Sequence, residues 1–356
     1  MSSADQEMLE QIDRQLLWTI LSRGELIKKI AKDGAFPSVG QENLRQDAIV
    51  DSICRESQDE IAKVHVESLR QTIRHIASHC RRQVQPCTVS FLGPKYSYSH
   101  LAAIKYFGDE AAFAPVATIP AVFDAVHRGD AQSGLVPIEN STDGRVVDTL
   151  GMFARRHMQI CGEVLLPIHH NLLASGSRDQ ITEIHSKPQA LSQCRVWLAA
   201  NFPAAKLVEV SSTTAAAESA AQHRQIAAVA SLPAGRAYGL EVLNQDIEDH
   251  SDNVTRFAVL GRNETQPTEN DKTSLLFQVE HQPGALAGAM KVLSESNLNL
   301  TWIESFPLPG SHNEYLFFVE FSGHRSEPAA ATALEKLTAI TRRLEILGSY
   351  PLAVAL

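Results

Sequence analysis

The chain has 356 residues, a formal net charge of −9 and 44% hydrophobic residues, so it is too long for one ordinary core and two or three domains are expected. Lysine and arginine are dispersed, leaving no basic footprint for nucleic acid, and no apolar run is long enough to span a bilayer. The acidic opening Met1-Ser-Ser-Ala-Asp-Gln-Glu7 lacks the regions of a signal peptide, and the five cysteines form no C-x-x-C pair, so the expectation is a cytoplasmic protein with reduced, mostly buried thiols, without disulfide framework or metal site.

To about residue 85 strand signals are nearly absent and three helices are expected. Leu9, Ile12, Leu16, Ile20, Ile27 and Ile30 recur at helical steps, the core stripe of one long helix. Arg23 falls on that stripe. An unpartnered buried charge is costly, so this side chain either snorkels to the edge or faces an acid. Gly34 and Pro37 end the helix, Glu42 to Arg55 suggest a second and Ile61 to Arg82 a third. Such a set cannot easily close a core alone, which favours a helical dimer.

Gln83-Val-Gln-Pro-Cys-Thr88 reads as a linker, after which strand and helix alternate. Strands are expected at Val89 to Leu92, Ala112 to Val116, Gly134 to Ile138, Gln159 to Pro167, Ile181 to His185, Lys206 to Val210 and Ile226 to Ala230. Helices fit at Leu101 to Phe107, Ile119 to Arg128, Gln189 to Ala200, Thr213 to Gln222 and Leu232 to Tyr238, the grammar of a doubly wound α/β domain. The most informative stretch is Gly134-Leu-Val-Pro-Ile-Glu-Asn-Ser-Thr-Asp-Gly144, an apolar strand running into carboxylate, amide and hydroxyls before a turn glycine. Ligands in open α/β sheets sit outside the carboxyl ends of strands. Similar polar loops recur at Gly93 to His100, Ile184 to Gln189, Val210 to Thr214 and Asn253 to Phe257; ordinary helix capping explains each one singly.

Arg262 to Lys272 reads as a second linker. Beyond it come strand Thr273 to Val279, helix Gly284 to Ser296, strands Leu298 to Ser305 and Tyr315 to Phe321, helix Pro328 to Arg343 and a strand near Glu345 to Tyr350. This βαββαβ order is the ferredoxin-like plan. Gln282-Pro-Gly284 opens its first helix, either as a seat for a small carboxylate or as a tight turn.

Phe91-Leu-Gly-Pro94, Ser97-Tyr-Ser-His100, Val136-Pro-Ile-Glu-Asn-Ser141, His169-His-Asn-Leu-Leu173, Ser186 to Cys194, Ser212-Thr-Thr-Ala-Ala216 and Asn253-Val-Thr-Arg-Phe257 resemble, in order, the motifs of the prephenate dehydratase family. Gly284-Ala-Leu286 and Glu304-Ser-Phe-Pro307 resemble its ACT regulatory domain, and the first helices resemble the AroQ-type chorismate mutase fused in front. The resemblance covers the whole chain. It implies a helical mutase-like domain over 1–85 and a two-lobed, periplasmic-binding-protein-like dehydratase domain over 88–262. Lobe 1 takes about 88–165 and 245–262, lobe 2 about 166–244, with a hinge near residues 165 and 245. An ACT domain over 272–356 completes the chain.

The implied reaction removes CO₂ and water from prephenate to give phenylpyruvate, with no cofactor. Aromatisation drives it, so catalysis must chiefly help hydroxide leave and hold the carboxylates without neutralising the one that departs. The resemblance places Thr255 against the leaving hydroxyl and Asn140, Ser186 and Gln193 around the substrate, with Glu139, Ser141, Arg256, Ser97, Ser99, His100 and Thr213 as further binding candidates. The intact Thr255, Asn140, Ser186 and Gln193 set favours an enzyme over the alternative, a non-catalytic two-lobed sensor on the same fold. Partners implied are prephenate, chorismate, L-phenylalanine as allosteric effector and a second copy of the chain. The effector seat is Gly284, Ala285, Leu286, Glu304 and Ser305.

Three departures carry expectations of their own. Tyr96 stands where the family has glycine, and a remodelled loop with Tyr96 in relaxed backbone geometry is expected. Phe306 replaces the regulatory motif's arginine, so altered phenylalanine coupling is expected. In the mutase-like site Arg23, Lys32, Glu42 and Arg45 fit, but Gln6 replaces an arginine, Gly34 a lysine and Gln46 a glutamate, and no clean Ser-x-x-x-Gln pattern occurs near Ser78 to Gln83. A cage that has lost cations predicts a poor mutase that serves mainly to dimerise.

Overall fold

The computed structural model describes residues 2–34, 37–57, 66–142, 144–307 and 314–353. The expected start of the third helix at Ile61, and Asp143 of the Gly134–Gly144 stretch, lie outside them. The chain divides into two compact units, Met1–Thr88 with Ile104–Ala112, and Val89–Ala103 with Phe113–Leu356.

Helix α1 (Ser3–Lys32) starts at a capping box of Ser2 and Asp5, and α2 (Val39–Glu56) at one of Ser38 and Gln41. Helix α3 (Val66–Arg82) packs on both. The small core of this unit holds Ile27, Val50, Cys54, Ala77 and Cys80, with Tyr106 and Phe107 from the end of α4 (Tyr98–Phe107). Asn43 donates to the Tyr106 carbonyl at 2.9 Å, and Ser78 Oγ accepts from Glu110 N–H at 3.2 Å. Gly108, at φ +74°, passes so close that an added Cβ would lie 2.3 Å from that of Ser78. The boundary expected near residue 85 is therefore crossed, because residues 104–112 complete the helical core. The α1 stripe is also corrected. Leu9, Ile12 and Leu16 stay about half exposed, and Trp18 is 70% exposed, because three helices offer α1 only one short face.

The second unit begins with β1 (Thr88–Leu92), β2 (Ala112–Val116), α5 (Ile119–Arg128), β3 (Ser133–Asn140), β4 (Gly144–Arg145), α6 (Val147–Arg155) and β5 (Gln159–Pro167). It continues through β6 (Asn171–Ala174), β7 (Glu183–Ser186), α7 (Pro188–Gln193), α8 (Arg195–Asn201) and β8 (Lys206–Glu209). After these come α9 (Thr213–Gln222), β9 (Ile226–Ala230), α10 (Leu232–Ala237), β10 (Glu241–Asn244) and β11 (Val254–Gly261). One sheet runs β2-β1-β3-β11-β5, with β4 beside β3; another runs β10-β6-β9-β7-β8. The chain crosses between them twice, at residues 168–170 and 245–253.

These sheets are mixed rather than all parallel. β11 lies antiparallel between β3 and β5, and β6 is antiparallel to β9. The polar run 253–257, read from sequence as a loop, opens a central strand. Its polar side chains are used by partners on both faces. The single helix expected over Gln189 to Ala200 breaks at Cys194, where Asp249 accepts from the Val196 and Trp197 N–H groups at 2.9 and 3.0 Å. All five cysteines are free thiols.

The C-terminal part follows the expected βαββαβ order: β12 (Asp271–Gln278), α11 (Ala285–Glu295), β13 (Leu300–Pro307), β14 (Tyr315–Ser322), α12 (Pro328–Ile340) and β15 (Arg343–Pro351). Its antiparallel sheet runs β13-β14-β12-β15. The sheet packs on the β3–β11–β5 layer, where Leu276, Phe306, Leu316, Phe318, Leu347 and Tyr350 share one core with Val136, Ile138, Leu150 and Ile160. Gly348 permits the approach, since a Cβ there would lie 2.1 Å from the Ile160 carbonyl oxygen.

Candidate active site

Strands β3 and β11 pair in a register that sets Asn140 opposite Thr255 and Glu139 opposite Arg256. Successive side chains on a strand face opposite ways, so this ladder serves two sites at once. On one face Asn140 Nδ2 donates to Thr255 Oγ1 and to Asn253 Oδ1, both at 2.8 Å, while Asn140 Oδ1 accepts from Thr142 N–H at 3.0 Å. Asn253 Nδ2 in turn reaches Gln193 Oε1 at 2.9 Å, at the end of α7. His170 Nε2 lies 2.9 Å from the same oxygen, and its Nδ1 lies 2.9 Å from the Tyr98 hydroxyl. That hydroxyl also lies 2.7 Å from the His169 carbonyl. Burial lowers the His170 pKa and raises that of Tyr98 well above its ordinary value, so both are uncharged near neutral pH.

The opposite face is a buried ion cluster. Arg256 donates to both oxygens of Glu320, on β14, at 2.7 and 3.1 Å, stands 3.4 Å from Glu139, and lies over the Trp302 ring at 4.6 Å. Lys272 reaches Glu163 at 3.1 Å and Glu320 at 3.5 Å, and Tyr350 and Ser274 also donate to Glu320. Arg256 and Glu139 thus face away from Thr255. This corrects the substrate-binding role expected for both, because the ladder's alternation sends them to the C-terminal sheet.

Other candidates hold the frame. Ser141 Oγ accepts from Val254 N–H at 2.9 Å and donates to the Asp252 carbonyl, tying β3 to the start of β11. Ser97 Oγ donates to the Leu92 carbonyl at 3.2 Å, and Ser99 is buried. His100 stacks on Phe91, and its Nδ1 accepts from Tyr96 N–H at 3.0 Å; burial lowers its pKa to about 4. His100 is therefore a neutral, mostly buried side chain. Tyr96 sits at φ +66°, which overturns the relaxed geometry expected. Its ring packs edge-on against His100 and Tyr238. Ser186 is fully buried and donates to the Val229 carbonyl at 2.6 Å, a bond inside the sheet, and Thr213 opens α9 behind its Ser212 cap. Sequence reasoning missed Tyr98, His170 and Asn253. All three stood inside quoted motifs, but only their hydrogen bonds single them out.

In the helical unit Arg23 donates to Glu42 at 2.5 Å, and Arg81, on α3, donates to the same carboxylate. Arg81 is a second cation that spacing did not reveal. Gln46 is buried, and neither of its amide atoms, nor Nη1 of Arg23, has a partner among the described residues. Arg45 is exposed, and Lys32 lines a cleft of about 520 Å³ with Lys28, Lys29, Glu25, Ala31 and Val84. In the C-terminal sheet Gly284, at φ +84°, precedes α11, which begins with Ala285 and Leu286; Glu304 and Ser305 lie on the edge strand β13. Glu304 is paired with Arg145 of β4.

The sequence pattern of the prephenate dehydratase family matches residues 89–265. A bifunctional chorismate mutase/prephenate dehydratase of Aquifex aeolicus is 38% identical over 97% of this chain and 96% of its own. One from Pseudomonas aeruginosa is 40% identical over 81% and 80%. The solved prephenate dehydratase of Arthrobacter aurescens, in complex with L-Phe, superposes with a TM-score of 0.68 at 32% identity, covering 74% of this chain and 90% of that one. The chain belongs to the bifunctional chorismate mutase/prephenate dehydratase family, and its central α/β part is a prephenate dehydratase domain.

Proposed function

We propose that prephenate is dehydrated and decarboxylated beside the Asn140–Thr255 pair, in a cleft between two lobes built on the two α/β sheets. One observation carries this reading: Thr255 Oγ accepts a hydrogen bond from Asn140 at 2.8 Å. A hydroxyl oxygen that accepts from an amide turns its own proton elsewhere, here toward the departing hydroxide. The reaction takes up one proton and releases CO₂ and water as the ring becomes aromatic. Threonine is a poor acid, so it acts as an aimed hydrogen-bond donor to the leaving oxygen. In this reading Gln193 and Asn253, joined at 2.9 Å in the same network, hold polar groups of the substrate, and Thr213 at the α9 N-terminus a carboxylate. Arg256, turned to the other face, leaves the departing carboxylate charged, as loss of CO₂ requires.

The C-terminal βαββαβ part is read as an ACT domain that binds L-phenylalanine around Gly284, Ala285, Leu286, Glu304 and Ser305. The Arthrobacter relative's complex with L-Phe supports this. The exposed apolar face of α1 supports a homodimer built through the helical unit. That unit is read as a weak chorismate mutase, since its site has lost cations and one carboxylate, Glu42, ties up Arg23 and Arg81. The protein is placed in the cytoplasm.

The test is phenylpyruvate formation from prephenate, followed by absorbance. Thr255→Ala is expected to lower turnover by about two to four orders of magnitude while prephenate binding changes little. Near-normal turnover of that variant removes Thr255 from the mechanism.

A further inference from the structure

The hydrogen bonds from His170 to Thr255 have a direction, and one backbone group sets it. Thr142 N–H can only donate, so the Asn140 atom it meets is the carbonyl oxygen, and both amide hydrogens of Asn140 point to Thr255 and Asn253. Asn253 therefore presents its oxygen to Asn140 and its NH₂ to Gln193, and Gln193 presents its oxygen. An oxygen facing His170 Nε2 at 2.9 Å requires a hydrogen on that nitrogen. In the neutral ring Nδ1 is then the acceptor, and the single Tyr98 hydroxyl hydrogen lies between two acceptors, Nδ1 at 2.9 Å and the His169 carbonyl at 2.7 Å. His170 lies on one crossover between the sheets, Asn253 on the other. The opposite tautomer would set two lone pairs against each other at Gln193. That amide would have to flip, but the chain beyond it is fixed from the Thr142 end.

We propose that His170 is a positioning residue for the dehydratase reaction: as the Nε2–H tautomer it locks the Gln193 amide and, through Asn253 and Asn140, aims the Thr255 hydroxyl. This rests on the reading of Thr255 and Gln193 given above. His170→Phe keeps a planar ring but removes both nitrogens, and His170→Gln brings an amide N–H to the place of Nε2.

Turnover, KM and thermal midpoint are measured for both variants, for Gln193→Leu, for the double variant His170→Phe/Gln193→Leu and for Thr255→Ala. His170→Phe is expected to lower kcat about 10- to 100-fold, the scale of a small misplacement at a reacting centre, with KM moved less than about threefold. His170→Gln is expected to recover to within about fivefold of the parent, and the double variant to lose no more than Gln193→Leu alone. Equal impairment of the Phe and Gln variants at matched thermal midpoints overturns the proposal, as does a double variant whose losses multiply. If Thr255→Ala is inactive but His170→Phe has full turnover, only this inference falls. If Thr255→Ala itself has full turnover, the reading of the site falls and takes the inference with it.

Discussion

Tyr96 shows how a single backbone angle can outweigh a side chain's preferences. A non-glycine residue at φ +66° carries strain of about 1–2 kcal/mol. The position persists because Tyr96 N–H is fixed by His100, its carbonyl accepts from Ser231, and its ring lies against Tyr238. Alanine removes the ring and keeps the strain, whereas glycine removes both. Tyr96→Gly is therefore expected to be more stable than Tyr96→Ala by about 1 kcal/mol, the reverse of the usual order, as urea unfolding of the two variants can measure. At this scale the sequence was legible where a motif carries the residue's chemistry. Thr255, Asn140 and Gln193, each singled out by its motif, fall in one network. It was illegible where only a hydrogen bond singles the residue out. Arg81 meets Glu42 across 39 positions, and His170 meets Tyr98 across 72.

Among the elements, β11 shows most clearly what a single sequence conceals. Val254-Thr-Arg-Phe looked like a polar loop because polar residues are expected at strand ends. In fact Thr255 faces Asn140 and Arg256 faces acids brought by other strands. Burial pushes the Glu320 carboxyl up, but Arg256 and Lys272 prevail and hold it below the ordinary glutamate range. Arg256 is pushed down by burial and more than restored by Glu320, so the pair stays ionised. Removing one partner leaves charges buried and unpaired. Glu320→Ala is therefore expected to cost about 3–5 kcal/mol, and Glu320→Met combined with Arg256→Met to recover most of it. The sign with pH follows from the depressed carboxyl. Its contribution is complete above the unfolded glutamate pKa of about 4.3 and is lost as pH falls through the lower folded value. Denaturation of wild type and Glu320→Ala across that range checks this, the variant showing the shallower acid dependence.

For the molecule as a whole, the βαββαβ order of the C-terminal part was readable because it rests on short-range periodicity. The antiparallel return of β11 and the residues shared at 104–112 were not, since strand direction and core membership are decided by distant contacts. Phe306, read as a lost regulatory cation, is instead committed to the core that joins the C-terminal sheet to the first α/β sheet. A charged tie near the proposed effector seat is Glu304 with Arg145, and β4 sets Arg145 opposite Glu139, next to Asn140. Arg145→Ala is expected to leave L-phenylalanine binding in a calorimeter within about threefold while weakening inhibition of dehydration, by the roughly 1–3 kcal/mol typical of coupling between sites. Unchanged inhibition excludes that route. The half-bare α1 has a consequence of another kind. In the homodimer proposed above, a second chain finishes the apolar stripe, and the stability of the unit is then set by mass action, with folding second order in protein and no fixed melting temperature. Dilution should then lower helical circular dichroism and the midpoint of the first unfolding step, while dehydratase turnover per chain holds steady.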